Sequence, residues 1–137
     1  MRVSAKTDYA CKALLELAAH WPNAKPMKID TISRNQKIPI KFLTHILLYL
    51  KQSGYTKSIR GKSGGYLLAV EPKKIKLSEL IKNLEQSEFA NLKNEKGIIS
   101  QIWKEVDEVS LKALDKLDYE ILVNRKKSKD NVQSYEI

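Results

Sequence analysis

Three of the chain's five glycines fall within five residues, Gly61-Lys62-Ser63-Gly64-Gly65. A cluster of that kind breaks any helix and marks a tight reversal. Its flanks, Tyr55-Thr56-Lys57-Ser58-Ile59-Arg60 and Tyr66-Leu67-Leu68-Ala69-Val70, are rich in β-branched and aromatic residues. The spacing therefore predicts a two-strand hairpin. A chain of 137 residues holds one compact domain with room for an appended helix, so whatever precedes the hairpin must pack against it.

The residues before the hairpin have helical period. Tyr9, Ala10, Ala13, Leu14, Leu17 and Ala18 share one face of a helix expected over 5–20, with Ser4 or Thr7 as cap and Pro22 as terminator. Residues 28–36 form a short second helix with Ile29 and Ile32 inward, and a Lys37-Ile38 turn leads to Pro39 at the start of a third. There Leu43, Ile46, Leu47 and Leu50 face the core, Lys41, Thr44, His45, Leu48 and Lys51 face outward, and Gly54 ends the helix. Beyond the hairpin, Ser78 is expected to cap a fourth helix bearing Leu80, Ile81 and Leu84. Residues 85–97 read as a polar loop. From 98 to 123 a single long helix is expected, because Ile99, Ile102, Val106, Val109 and Ala113 alternate steps of three and four, with Trp103 and Leu117 widening the stripe. Residues 124–137 have little to bury and read as a tail.

Charge divides the chain in the same place. Residues 1–84 carry 16 Lys+Arg against 5 Asp+Glu, a net of +11, whereas residues 85–137 net −2. The basic part points to a polyanionic partner. A membrane surface fits poorly, because glycines and strands interrupt any continuous amphipathic helix. No nucleophile–base pair, paired acidic motif or cofactor loop argues for an enzyme. The Gly61-Lys62-Ser63 triplet is no phosphate loop, since Thr56 stands where a glycine is required and a strand rather than a helix follows. Lys12, Glu16 and His20 interrupt the N-terminal apolar stretch, so a cytoplasmic protein is expected.

Helix, helix, short turn, helix and hairpin is the order of a winged helix-turn-helix: mainly α with a small β-hairpin wing, over residues 1–84. Its amphipathic third helix can enter a DNA major groove with Lys41, Thr44 and His45 on the first exposed turns. Arg60 and Lys62 lie at the hairpin tip, where glycines allow close approach to phosphates or a minor groove. Lys28 and Lys51 complete the expected set of DNA contacts.

Met1-Arg2-Val3-Ser4 with Lys6, Tyr9-Ala10 and Ala13-Leu14, then Ile32-Ser33, Phe42-Leu43 and above all Arg60-Gly61-Lys62-Ser63-Gly64-Gly65-Tyr66-Leu67-Leu68, resemble the Rrf2 family of transcription regulators. The last run is similar to the family's wing signature, RGxxGGYxL. The resemblance implies a homodimeric, sequence-specific DNA-binding regulator, expected to act as a repressor, whose long C-terminal helix pairs with a second copy through Ile99, Ile102, Trp103, Val106, Val109, Ala113 and Leu117. It also implies that Lys41, Thr44 and His45 read bases and that Arg60 enters the minor groove. Thr44 stands where relatives often carry glutamate and Lys62 where proline is common, so a different operator is expected.

Many members of that family hold an iron–sulfur cluster with three loop cysteines before the dimerisation helix. The corresponding stretch here, residues 88–100, contains neither cysteine nor histidine, and Ser100 falls about where some relatives place a ligand histidine. The chain's one cysteine, Cys11, and its helix neighbour Asp8 make a poor donor set. His20 and His45 lie on different helices with no matching ligand spacing. The expectation is therefore no cluster, no metal and no other cofactor. Two alternatives remain for control of the regulator: a complex with a metabolic enzyme, as in some cluster-free relatives that regulate cysteine metabolism, or a redox-active Cys11.

Overall fold

A computed structural model describes residues 3–22, 25–85 and 96–135, with side chains described as far as residue 132. The elements are α1 (Ala5–Ala18), α2 (Ile29–Gln36), α3 (Ile40–Gln52), β1 (Thr56–Ile59), β2 (Gly65–Leu68), a single 3-10 turn (Pro72–Lys74), α4 (Leu77–Leu84), α5 (Ile98–Leu114) and α6 (Tyr119–Tyr135).

Ser4 caps α1, its side chain accepting from the Thr7 N–H at 3.2 Å. The inward stripe of α1, from Ala10 to Ala18, packs on Ile32 of α2 and on Leu43, Ile46, Leu47 and Leu50 of α3. The small side chains of Ala10 and Ala13 let the α3 leucines approach closely. Between α2 and α3, Lys37 adopts a left-handed conformation (φ 54°) that halts the helix, Ile38 drops into the core, and Pro39 is the residue before α3. A lysine there accepts strain that glycine would avoid.

The wing is antiparallel, with Thr56 opposite Leu68 and Ile59 opposite Gly65. A third segment joins it: Met27 and Tyr66 exchange backbone bonds of 2.9 and 2.8 Å. Two glycines of the signature have separate reasons to be glycine. A Cβ on Gly64 would sit 2.1 Å from the Ile59 carbonyl oxygen, and one on Gly65 2.3 Å from that of Met27. Gly65 also holds φ +151°, inside the region that L side chains rarely adopt.

Three expectations need correction. Ser78 does not cap α4: it is buried inside the helix and donates a short hydrogen bond to Asp115, while Lys76 takes the cap position. The single helix expected over 98–123 ends at Leu114. The chain then turns so that the Leu77 N–H reaches the Leu117 carbonyl at 3.0 Å and the Tyr119 N–H reaches the Ile75 carbonyl at 3.1 Å. Finally, residues read as a tail from 124 continue α6, whose Tyr119 and Val123 are buried against α1. Asp118 starts it by accepting from the Ile121 N–H at 2.9 Å. One turn of core contact anchors a helix whose later residues are mostly exposed, and a count of apolar residues over 124–137 overlooks that anchor. Of the polar loop expected over 85–97, Glu85 is buried at the end of α4, and residues 86–95 lie outside the described ones.

Candidate nucleic-acid interface

The third helix divides as its period requires. Leu43, Ile46, Leu47 and Leu50 are buried, while Lys41, Thr44, His45 and Lys51 are exposed on the opposite side. The Thr44 hydroxyl donates to the Ile40 carbonyl at 2.9 Å. That bond uses its only proton, leaving an acceptor oxygen and a methyl group to face outward. Leu48, half exposed in the middle of this face, adds an apolar contact suited to a thymine methyl. Its spacing placed it outward, but a leucine attracts no attention as a recognition residue.

Arg60 and Lys62 are exposed at the hairpin tip, beyond the last strand pair. The turn between them closes with the Gly64 N–H on the Gly61 carbonyl at 3.0 Å. Lys28 is exposed at the residue before α2, directly after the Met27–Tyr66 bridge, so it stands at the wing's base rather than on α3. The structure thus groups Lys41, Thr44, His45 and Lys51 on one helix and Arg60 with Lys62 on one turn, with Lys28 apart from both sets.

What orients α3 is a set of polar contacts that no local pattern signals. Glu16 of α1 is buried and accepts from Asn35 Nδ2 at 2.7 Å and Gln36 Nε2 at 2.8 Å. The carboxylate thereby grips the end of α2 just before the turn into α3. At the other end of α1, buried Glu85 accepts from the Ser4 N–H at 3.2 Å, from Ser4 Oγ at 2.8 Å and from the Thr7 hydroxyl. Buried carboxylates supplied with donors in this way hold helices in register, because an unpaired charge there would be costly.

Cys11 lies against the core, and the Tyr119 hydroxyl donates to its carbonyl at 2.9 Å. Burial pushes its thiol up to about 11, so the nucleophilic thiolate is scarce at neutral pH. Burial raises the Tyr119 hydroxyl well above its ordinary value too. For both groups the fold favours the neutral form. The Cys11 contribution is fully present below its unfolded value near 9 and is lost as pH rises toward 11, whereas that of Tyr119 begins to be lost only above its unfolded value near 10. Unfolding free energies measured between pH 8 and 11 should fall steadily, by on the order of 2 kcal/mol for Cys11 alone. Cys11→Ala should show a shallower fall; an identical slope would remove Cys11 as a cause. Asp8, the other helix-1 candidate for ligation, is paired with Lys12 at 2.7 Å. Among the described residues, no three His, Cys, Asp or Glu side chains converge on a metal-sized site.

The outward side of α5 is apolar and open. Ile99, Trp103 and Val109 are 58%, 53% and 68% exposed, and Ile98, Ile102 and Val106 line up with them. Ala113 is exposed on the same helix, whereas Leu117 is half-buried in the turn after it and takes no part in that stripe. No helix among the described residues is long and apolar enough to cross a membrane.

A family model described as Rrf2, iron-dependent transcriptional regulator, matches residues 3–125. The chain belongs to the Rrf2 family. An rrf2-like HTH-type transcriptional regulator of Rhodobacter capsulatus is 41% identical over 85 residues, covering 61% of this chain and 57% of that relative. Among solved structures, the IscR of T. potens superposes with a TM-score of 0.78 at 29% identity, covering 92% of this chain and 88% of the other. The CymR of B. subtilis, described as its global cysteine regulator, superposes at 0.76 with 24% identity, covering 91% and 98%, a likeness of fold. This Rrf2 protein has the winged helix-turn-helix fold of DNA-binding transcription regulators, and the family and its structural neighbours are regulators rather than enzymes.

Proposed function

We propose that this Rrf2 protein is a cytoplasmic homodimeric repressor that reads a pseudo-palindromic operator without an iron–sulfur cluster. The observation that carries the DNA reading is the division of α3: a leucine-rich side locked in the core and Lys41, Thr44, His45 and Lys51 outward, in a chain whose wing tip exposes Arg60 and Lys62. Lysines of that kind neutralise phosphates, while Thr44, His45 and Leu48 meet base edges. Lys28 supplies a backbone contact from the wing's base. Two such modules related by a two-fold axis present recognition helices about 34 Å apart, one turn of duplex.

Pairing is supported by the apolar stripe of α5, which a lone chain leaves in water. Ile99, Ile102, Trp103, Val106, Val109 and Ala113 form the proposed seam. The same stripe could receive a metabolic enzyme, and size measurement on the purified chain separates the two occupants. The cluster-free reading rests on donor chemistry. Iron–sulfur clusters are held chiefly by thiolates, with histidine replacing some in certain sites; the whole chain has one cysteine. That cysteine is packed against the core with its thiol held neutral. The residues present do not fit the group. The raised thiol also argues against a Cys11-based redox sensor.

Footprinting on genomic DNA would supply the operator, and a salt titration then tests the electrostatic part. Affinity should fall by more than about a hundredfold between roughly 50 and 200 mM salt, since each neutralised phosphate contributes a slope near −0.9. An affinity flat in salt would sink the DNA reading. Arg60→Ala should weaken operator binding by about tenfold or more with unchanged thermal stability, because an exposed wing arginine carries contact rather than packing. Binding equal to the parent would remove Arg60 from the interface.

A further inference from the structure

A chamber of about 370 Å³ opens between the start of α1 and the recognition helix, lined by Ala5, Lys6, Tyr9, Phe42, His45 and Ile46. Its size lies within the range of small-molecule sites, about 300–1,000 Å³. The walls are unusual for a surface recess. Phe42 is 50% exposed, although its neighbour Leu43 is fully buried. The Tyr9 and Phe42 rings form a tilted pair with centroids 6.1 Å apart at 36°, within the range of direct ring–ring contact.

The charge around this recess is one-sided. Lys6 lies over the Tyr49 ring at 5.3 Å and Lys41 over the Phe42 ring at 6.0 Å, and no carboxylate stands among the described residues that line the chamber. Lys6 and the His45 ring nitrogens are the nitrogen-bearing side chains among the lining residues. Aromatic walls, the Ile46 side chain and the flanking lysines select an apolar body carrying one negative group. A volume of about a dozen waters suits a single aromatic or bicyclic carboxylate.

We propose that this chamber binds a small aromatic carboxylate against the Tyr9–Phe42 ring pair, with its anionic end toward Lys6 and His45. Because Phe42 and His45 belong to α3, the occupant changes how that helix meets DNA. This second part rests on the operator-binding function proposed above; the first does not.

Calorimetric titration of the full chain without DNA tests the site directly, using indole-3-acetate and its neutral amide, indole-3-acetamide. The acid should bind once per chain, with an affinity near the millimolar-to-submillimolar range expected for about a dozen heavy atoms. The amide should bind about tenfold more weakly or worse. Ala5→Leu fills the recess from an exposed first-turn position that tolerates leucine, and should abolish binding while leaving thermal stability intact. Lys6→Gln should bring acid and amide together. No saturable heat, equal binding of acid and amide in the parent, or full binding by Ala5→Leu would overturn the site. No heat combined with weaker self-association of Ala5→Leu would instead make the chamber a contact between copies. With the operator present, the acid should shift parent affinity by at least about threefold and leave Ala5→Leu unmoved. An unmoved parent that still binds the acid would overturn the coupling alone.

Discussion

Gly64→Ala should dismantle the wing while sparing the helices. The added Cβ would stand 2.1 Å from the Ile59 oxygen and 2.9 Å from the Arg60 carbonyl carbon, both backbone atoms that cannot rotate aside. Relief requires moving β1 or opening the turn, which pulls Ile59 from Gly65 and frees Arg60 from its fixed position. Overpacking of this kind costs about 1–3 kcal/mol, and here the cost is local. Helix content by circular dichroism should stay close to the parent, whereas operator affinity should drop by at least about tenfold as the wing contacts are lost. Gly61→Ala is the informative companion: nothing lies within 4 Å of its added Cβ, but its φ of +109° makes the substitution strained. Its effect on binding should be smaller than that of Gly64→Ala, and a larger one would place the cause in turn flexibility rather than packing.

Ile102→Asp should convert the proposed dimer to monomers. Ile102 is 43% exposed on a single chain, so aspartate there leaves the fold of that chain undisturbed. In the proposed seam it would instead bury an unpaired carboxylate, a cost of about 3–5 kcal/mol and so over a hundredfold in dimer dissociation. Operator binding should collapse with it, because two half-sites held together gain from effective concentration what one half-site lacks. Sedimentation and operator titration on the same preparation check both statements. A variant that stays dimeric moves the interface off α5. One that becomes monomeric yet binds the full operator as tightly as the parent removes the need for pairing.

These outcomes depend on features of different legibility. Helix 3 and the wing could be read residue by residue, because the spacing of Leu43, Ile46, Leu47 and Leu50 and the crowding of Gly61, Gly64 and Gly65 act through neighbours in the chain. The period of α5 was legible up to Leu114 and misleading beyond it. Asp118 and the Tyr119–Val123 pair mark a new helix, but Leu117 keeps the earlier rhythm going by accident of spacing. Ser78 resembled a cap because serine often is one; its partner, Asp115, is 37 residues away.

The sequence by itself determined the helix-turn-helix order, the hairpin, the outward position of Lys41, Thr44, His45, Arg60 and Lys62, and a complement of one cysteine. Tertiary structure alone decided which polar groups lock the module: Glu85 with Ser4 across 81 residues, Glu16 with Asn35 and Gln36, and Tyr119 with the Cys11 carbonyl across 108. It alone made the aromatic chamber beside α3 and turned a presumed tail into a docked helix. The reason is physical. Periodicity and turn chemistry are set by residues a few positions apart, whereas burying a carboxylate or opening a recess depends on which distant surfaces the packed core brings together.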